Sequence, residues 1–294
     1  MTNHDLILNG LRIHYVEGGA GETVVCLHGT ALDSAQLSYG PSLPYFSEHY
    51  HVLAPDWPGY GKSELPRKAL TINDHVALLK TFMDTLELEH VHLVGFSMGG
   101  AVALAFALEA PQRVKSLSLA GSYGLAKQVH VPLLPYLALR TPLLSRTVMS
   151  SLRLSRTLTG LVLRFLVFAD PRKVDRMLIN DVYTHLKSPH AEEAFLAWIK
   201  GEVGPVHLST SYQDSYEQLE IPTLLLHGKR DLVIPAHFAK RAAKNLKNAN
   251  LKLIPNCGHW LMREKPELFK KAVLEHIHLV EHKKTALEAS SAVS

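Results

Sequence analysis

The chain has 294 residues, 47% of them hydrophobic and 20% charged, with a net charge of +4. That length suits one α/β core with an insertion, and the charge is too modest for a nucleic-acid surface, so no nucleic-acid partner is expected. No apolar run reaches the roughly 20 residues that span a bilayer, two cysteines make no disulfide framework, and the start Met1-Thr2-Asn3-His4-Asp5 carries no secretory pattern, so a cytoplasmic setting is expected.

Along the chain, Leu6–Asn9 and Leu11–Val16 alternate around Asn9-Gly10, a hairpin signal. An apolar strand over 23–28 runs into His28-Gly29-Thr30-Ala31, and a second over 51–55 runs into the turn Asp56–Ser63. A helix is predicted at 73–86. The strand at 91–95 then meets Gly95-Phe96-Ser97-Met98-Gly99-Gly100 and passes at once into an Ala/Leu-rich helix over 97–109. This strand–turn–helix context is what a nucleophile elbow requires. Gly95 and Gly99 are the small neighbours that a sharp turn at Ser97 needs, and the helix N-terminus favours developing negative charge. Another strand follows at 114–120.

Residues 122–217 break the alternation and are too long for a loop. Helical patterns at 143–168, 171–187 and 190–200 make this interval a cap inserted into a core of residues 1–121 and 218–294. Between Ser122 and Ala169 stand Lys127, Arg140, Arg146, Arg153, Arg156 and Arg164 with no acid, a local charge of +6. Two readings of this leucine-rich lid compete. Its leucines line an acyl pocket while its arginines face water, or it makes peripheral contact with a membrane or anionic lipid, or recruits an anionic substrate. Pro132, Pro135 and Pro142 divide its first part into short pieces and suit a mobile entrance.

The strand at 222–227 turns through Gly228-Lys229-Arg230-Asp231, a helix fits 236–246, and the strand at 250–254 leads to Gly258-His259-Trp260. The last helix, at 266–281, has an apolar stripe. A serine hydroxyl needs a base, and the base needs an orienting carboxylate. His259 and Asp231 stand on two strand-to-loop corners after Ser97, while Ala120-Gly121-Ser122-Tyr123-Gly124 offers no acid. The backbone N–H groups of Met98 and Thr30 are the candidate oxyanion donors, each worth roughly 3 kcal/mol in the transition state. Phe96 and Trp260 are candidate pocket walls. The histidine pairs His49/His51, His90/His92 and His276/His278 lack a third ligand at metal spacing, so no metal and no cofactor are expected.

Together, His28-Gly29, Asp56–Ser63, Gly95–Gly100, His227–Asp231 and Gly258-His259 resemble the α/β-hydrolase family in order and spacing over nearly the whole chain. The resemblance implies an α/β fold with a mostly parallel central sheet flanked by helices, a helical cap after the sixth strand, and cofactor-free Ser97–His259–Asp231 chemistry. A serine nucleophile separates the chain from the dehalogenases and epoxide hydrolases of that fold. The expected reaction is hydrolysis of small-molecule carboxylic esters of apolar acyl groups. Two alternatives are carbon–carbon hydrolysis of meta-cleavage-type diketones and a non-catalytic ligand receptor. Cys257–Trp260 is similar to the carbon–carbon hydrolases, but His28–Ala31 lacks the Gly-Pro-Gly that usually follows their His-Gly. Nothing in the sequence fixes an oligomeric state.

Overall fold

A computed structural model describes residues 1–126, 137, 140–204 and 209–291. Eight strands form one sheet in the order β1-β2-β4-β3-β5-β6-β7-β8. They are β1 Thr2–Leu8, β2 Leu11–Gly18, β3 Thr23–Leu27, β4 His51–Pro55, β5 Val91–Phe96, β6 Val114–Ala120, β7 Thr223–Gly228 and β8 Ala249–Ile254. The β1–β2 hairpin turns at Asn9 and Gly10, both at positive φ, and β2 runs antiparallel to β4. All later pairings are parallel, with Leu27 opposite Gly95, Phe96 opposite Ala120, Ala120 opposite Leu226 and Gly228 opposite Ile254. This register brings the loops after β3, β5, β7 and β8 to one edge, where ligands bind in open α/β sheets.

Helices cover both faces. On one side Val76, Leu79 and Phe82 of α3 (Ile72–Thr85), Ala103 and Phe106 of α4 (Met98–Glu109) and Phe238 of α9 (His237–Asn245) join one buried cluster. On the other, Tyr39 of α1 (Ala35–Tyr39), Phe46 of α2 (Leu43–Ser47) and Phe269 and Ile277 of α11 (Pro266–Ser291) join a second. The short helices α1 and α2 have no periodic signal long enough to read from sequence.

Between β6 and β7 the described residues are mainly helical: α5 Pro142–Leu154, α6 Arg156–Val162, α7 Arg176–Leu186 and α8 Pro189–Glu202. The single helix expected over 143–168 is broken. Ser155 leaves helical geometry at φ −131° and caps α6 by accepting from Leu158 N, and Leu163–Val167 closes as one π-helical turn. Leu163, Leu178 and Val182 of this segment enter the second cluster, so it is welded to the core. Lys127, Pro132 and Pro135 lie outside the described residues, and Pro142, the third proline of the mobile-entrance reading, opens α5. Among those residues, no helix is long and apolar enough to cross a membrane.

Glu264 of the short helix α10 (Leu261–Glu264) fastens this segment to the loop after β8. It is 1% exposed, and its carboxylate accepts from Gly258 N at 2.7 Å, Asp170 N at 2.8 Å and Ala169 N at 3.1 Å. His259 N in turn donates to Val167 O at 2.8 Å. Glu264→Ala leaves three N–H groups without their acceptor at about 1–3 kcal/mol each. Its thermal midpoint should fall by several degrees at least; an unchanged midpoint would contradict the anchor.

Several buried histidines are held neutral. His28 donates from Nδ1 to Gly29 O at 2.8 Å and accepts from Trp57 N at Nε2 at 2.9 Å, and burial pushes its pKa down to about 4. Burial also pushes His92 and His185 down to about 4. Between pH 6.5 and 4 the unfolded chain therefore binds protons that the native state refuses, so stability falls with falling pH. His28 alone accounts for about 3 kcal/mol across that window. Asp33 opposes this: burial raises its pKa to about 7, so the native state keeps a proton that the unfolded chain has lost. Three groups outweigh one. The urea midpoint should be lower at pH 5 than at pH 7, and an equal or higher midpoint at pH 5 would contradict the buried-neutral assignment.

Candidate active site

At the end of β5 the backbone of Ser97 adopts φ +51° and ψ −116°, strained for a residue with a side chain. A Cβ on Gly95 would stand 2.5 Å from Gly99 O, and one on Gly99 would overlap the Leu27 carbonyl. Only glycine allows strand and helix so close. Ser97 N donates to Ala120 O, and Tyr123 N donates to Ser97 O, both at 3.0 Å, so β6 and its loop pin the turn. Met98 opens α4, where a backbone N–H has no acceptor within the helix.

The structure brings Ser97, His259 and Asp231 together. Ser97 Oγ lies 3.1 Å from His259 Nε2, and His259 Nδ1 lies 2.8 Å from Asp231 Oδ2. A carboxylate only accepts, so the imidazole proton sits on Nδ1 and Nε2 is left to accept from Ser97. All three residues are less than 10% exposed. Burial alone would raise the Asp231 pKa, but the His259 charge and hydrogen bonds from His227 and His259 hold the carboxyl well below its ordinary range. Asp231 Oδ1 also accepts from Val233 N at 2.9 Å and Ile234 N at 2.8 Å. Such an arrangement can deprotonate a hydroxyl, stabilise the resulting imidazolium and return the proton.

Thr30 follows β3 in a turn held by Asp33, whose Oδ2 accepts from Gly29 N at 2.7 Å. The Thr30 hydroxyl stands 2.5 Å from Tyr60 OH and is engaged there, which leaves the backbone amide as this residue's candidate donor. Asp56 accepts from Ala35 N and His14 Nδ1, both at 2.8 Å, and from Lys62 N at 3.0 Å, so the Asp56–Ser63 turn is braced as a wall.

Phe96 flanks His259, with ring centroids 4.9 Å apart. Trp260 is 3% exposed and donates from Nε1 to Ser38 Oγ at 2.8 Å, so it is anchored to α1, with the Phe168 ring against its own. Neither lines the cleft of about 200 Å³ beside Met98, which is walled by Tyr60, Leu65, Glu193 and Trp198. The cap arginines largely serve the cap itself. Arg140 donates to Lys200 O, Arg153 pairs with Glu192, Arg156 lies over Tyr183, and Arg164 donates to Val174 O.

Among the described residues one group, Glu22, His92 and Glu281, gathers ligand-type atoms within 4.8 Å. It lies at the opposite end of β5 from Ser97, Lys115 pairs with Glu22, and Tyr50 donates to Glu281 at 2.9 Å. Glu22 and Glu281 reach His92 from far along the chain, where sequence spacing shows no partner. His227 and Glu264, which carry no motif role in the sequence, contact Asp231 and the loop before His259.

A family model described as the alpha/beta hydrolase fold matches residues 22–266. Among curated relatives, the 2-hydroxy-6-oxo-6-(2'-aminophenyl)hexa-2,4-dienoic acid hydrolase of Metapseudomonas resinovorans is 29% identical over 91% of this chain and 88% of the relative. The 2-hydroxy-6-oxononadienedioate/2-hydroxy-6-oxononatrienedioate hydrolase of Paraburkholderia phymatum is 30% identical over 91% of each chain. Among solved structures, a meta-cleavage product hydrolase from Pseudomonas fluorescens superposes with a TM-score of 0.80 at 25% identity, covering 94% of this chain and 97% of that one. With its strand order, its Ser97 turn and its matched length, the chain belongs to the alpha/beta hydrolase fold family.

Proposed function

We propose that the protein is a Ser97–His259–Asp231 hydrolase that cleaves a carbon–carbon bond beside a ketone in a meta-cleavage-type 2-hydroxy-6-oxo-dienoate. The observation that carries this reading is the extent of the likeness: the relatives named for that chemistry match over about nine-tenths of both chains, cap segment included. In this mechanism Ser97 Oγ attacks the C6 carbonyl while His259 Nε2 takes its proton. The amides of Met98 and Thr30 hold the oxyanion, and Asp231 keeps the imidazolium oriented. The substrate ketonises before this attack, its 2-hydroxyl proton moving to C5. Collapse of the tetrahedral species then breaks C5–C6 and releases a dienolate, whose C2 oxygen takes the proton from His259. Water activated by His259 then releases the acid from Ser97.

A second reading, hydrolysis of apolar carboxylic esters, uses the same steps with an alkoxide as leaving group. The Thr30-Ala31 sequence after His28-Gly29, in place of the Gly-Pro-Gly usual in carbon–carbon hydrolases, favours this reading.

Initial rates on 2-hydroxy-6-oxo-6-phenylhexa-2,4-dienoate and on p-nitrophenyl esters from C2 to C16 separate the two. The first reading expects kcat/KM at least tenfold higher on the dienoate, with Ser97→Ala lowering kcat by roughly 10⁵–10⁶ on the better substrate. Preferred turnover of an ester would establish the second reading, and turnover of neither by folded protein would remove both.

A further inference from the structure

His227, the fifth residue of β7, is 1% exposed and stands four residues before Asp231. Its Nε2 is 2.7 Å from Ile234 O and 3.2 Å from Asp231 Oδ2. Both neighbours are acceptors, so Nε2 carries a proton shared between them. One N–H therefore bridges the catalytic carboxylate and the backbone of the loop that bends around it. The Asp231 oxygen that faces it is Oδ2, the same atom that accepts from His259 Nδ1. Oδ1 is held separately by the Val233 and Ile234 amides.

We propose that His227 is a positioning residue: its Nε2–H fixes the Asp231 carboxylate so that Oδ2 stays aligned on His259. The proposal rests on the triad reading above and adds a fourth member to it. Without this donor, Oδ2 can swing toward His259 or away from it, and the Ile234 carbonyl loses its partner. Oδ2 also gains unscreened negative charge beside the imidazole, so the imidazolium is easier to form.

Two variants separate positioning from packing. Gln places an amide N–H close to where Nε2–H stands, whereas Met fills similar space without a donor. His227→Met should lower kcat about tenfold or more with KM within about twofold, and move the acid limb of the kcat/KM profile to higher pH. His227→Gln should keep kcat within about threefold of the parent protein and leave that limb in place. Equal kcat and an unmoved limb in both variants would overturn the proposal.

Should His227→Met fail to fold, proton NMR of the parent protein decides the matter. The His227 Nε2–H and His259 Nδ1–H protons should both resonate downfield of the backbone amides, and Asp231→Asn should shift both. A His227 proton unmoved by Asp231→Asn would overturn the proposal. This readout needs no turnover, so it stands apart from any failure of the substrate assignment.

Discussion

The turn at Ser97 is the constraint around which the molecule is arranged. A non-glycine residue at φ +51° costs about 1–3 kcal/mol and persists only where its surroundings over-determine it. Here β5 lies between β3 and β6, Gly99 sits against the Leu27 carbonyl, and β6 supplies the acceptor for Ser97 N. The strain puts Oγ and the Met98 amide on one rigid unit. Attack and oxyanion binding can thus be served by neighbouring atoms, with little left to reorganise during reaction. The other participants have only to reach this point, and the parallel register carries their loops there.

Around Asp231 the problem is electrostatic. A carboxylate buried this deeply would ordinarily favour its neutral form. Two loop amides, His259 and His227 all donate to it, and together they keep it ionised beside the imidazole. The same end of the sheet bears the cap segment, fastened through Glu264 to the loop that holds His259. The cap segment and the loop that carries His259 therefore share one piece of backbone.

Much of this was legible in the chain, because the signals that carry it are local. Val91–Leu104 announces strand, turn and helix within fourteen residues, and the strand-to-loop corners at Asp231 and His259 follow from apolar runs ending in polar turns. What was not legible depends on long-range contact. Ser155 interrupts an otherwise continuous helical pattern by capping, and α1 and α2 are too short to show a period. Glu264 looks like an ordinary surface acid until Ala169 and Asp170 arrive from 95 and 94 residues away. His92 likewise meets Glu22 and Glu281 only in the folded chain. Substrate class lay further out of reach, because the leucine and arginine content of the cap segment fits both an ester and a diketone.

The central claim is that Ser97 is the single residue that His259 and Asp231 activate for attack. Intact-mass measurement after treatment with a fluorophosphonate, followed by peptide mapping, tests it most directly. One adduct per chain on the peptide bearing Ser97, lost in His259→Ala, is the expected result. An adduct elsewhere, or none on folded protein, would contradict it.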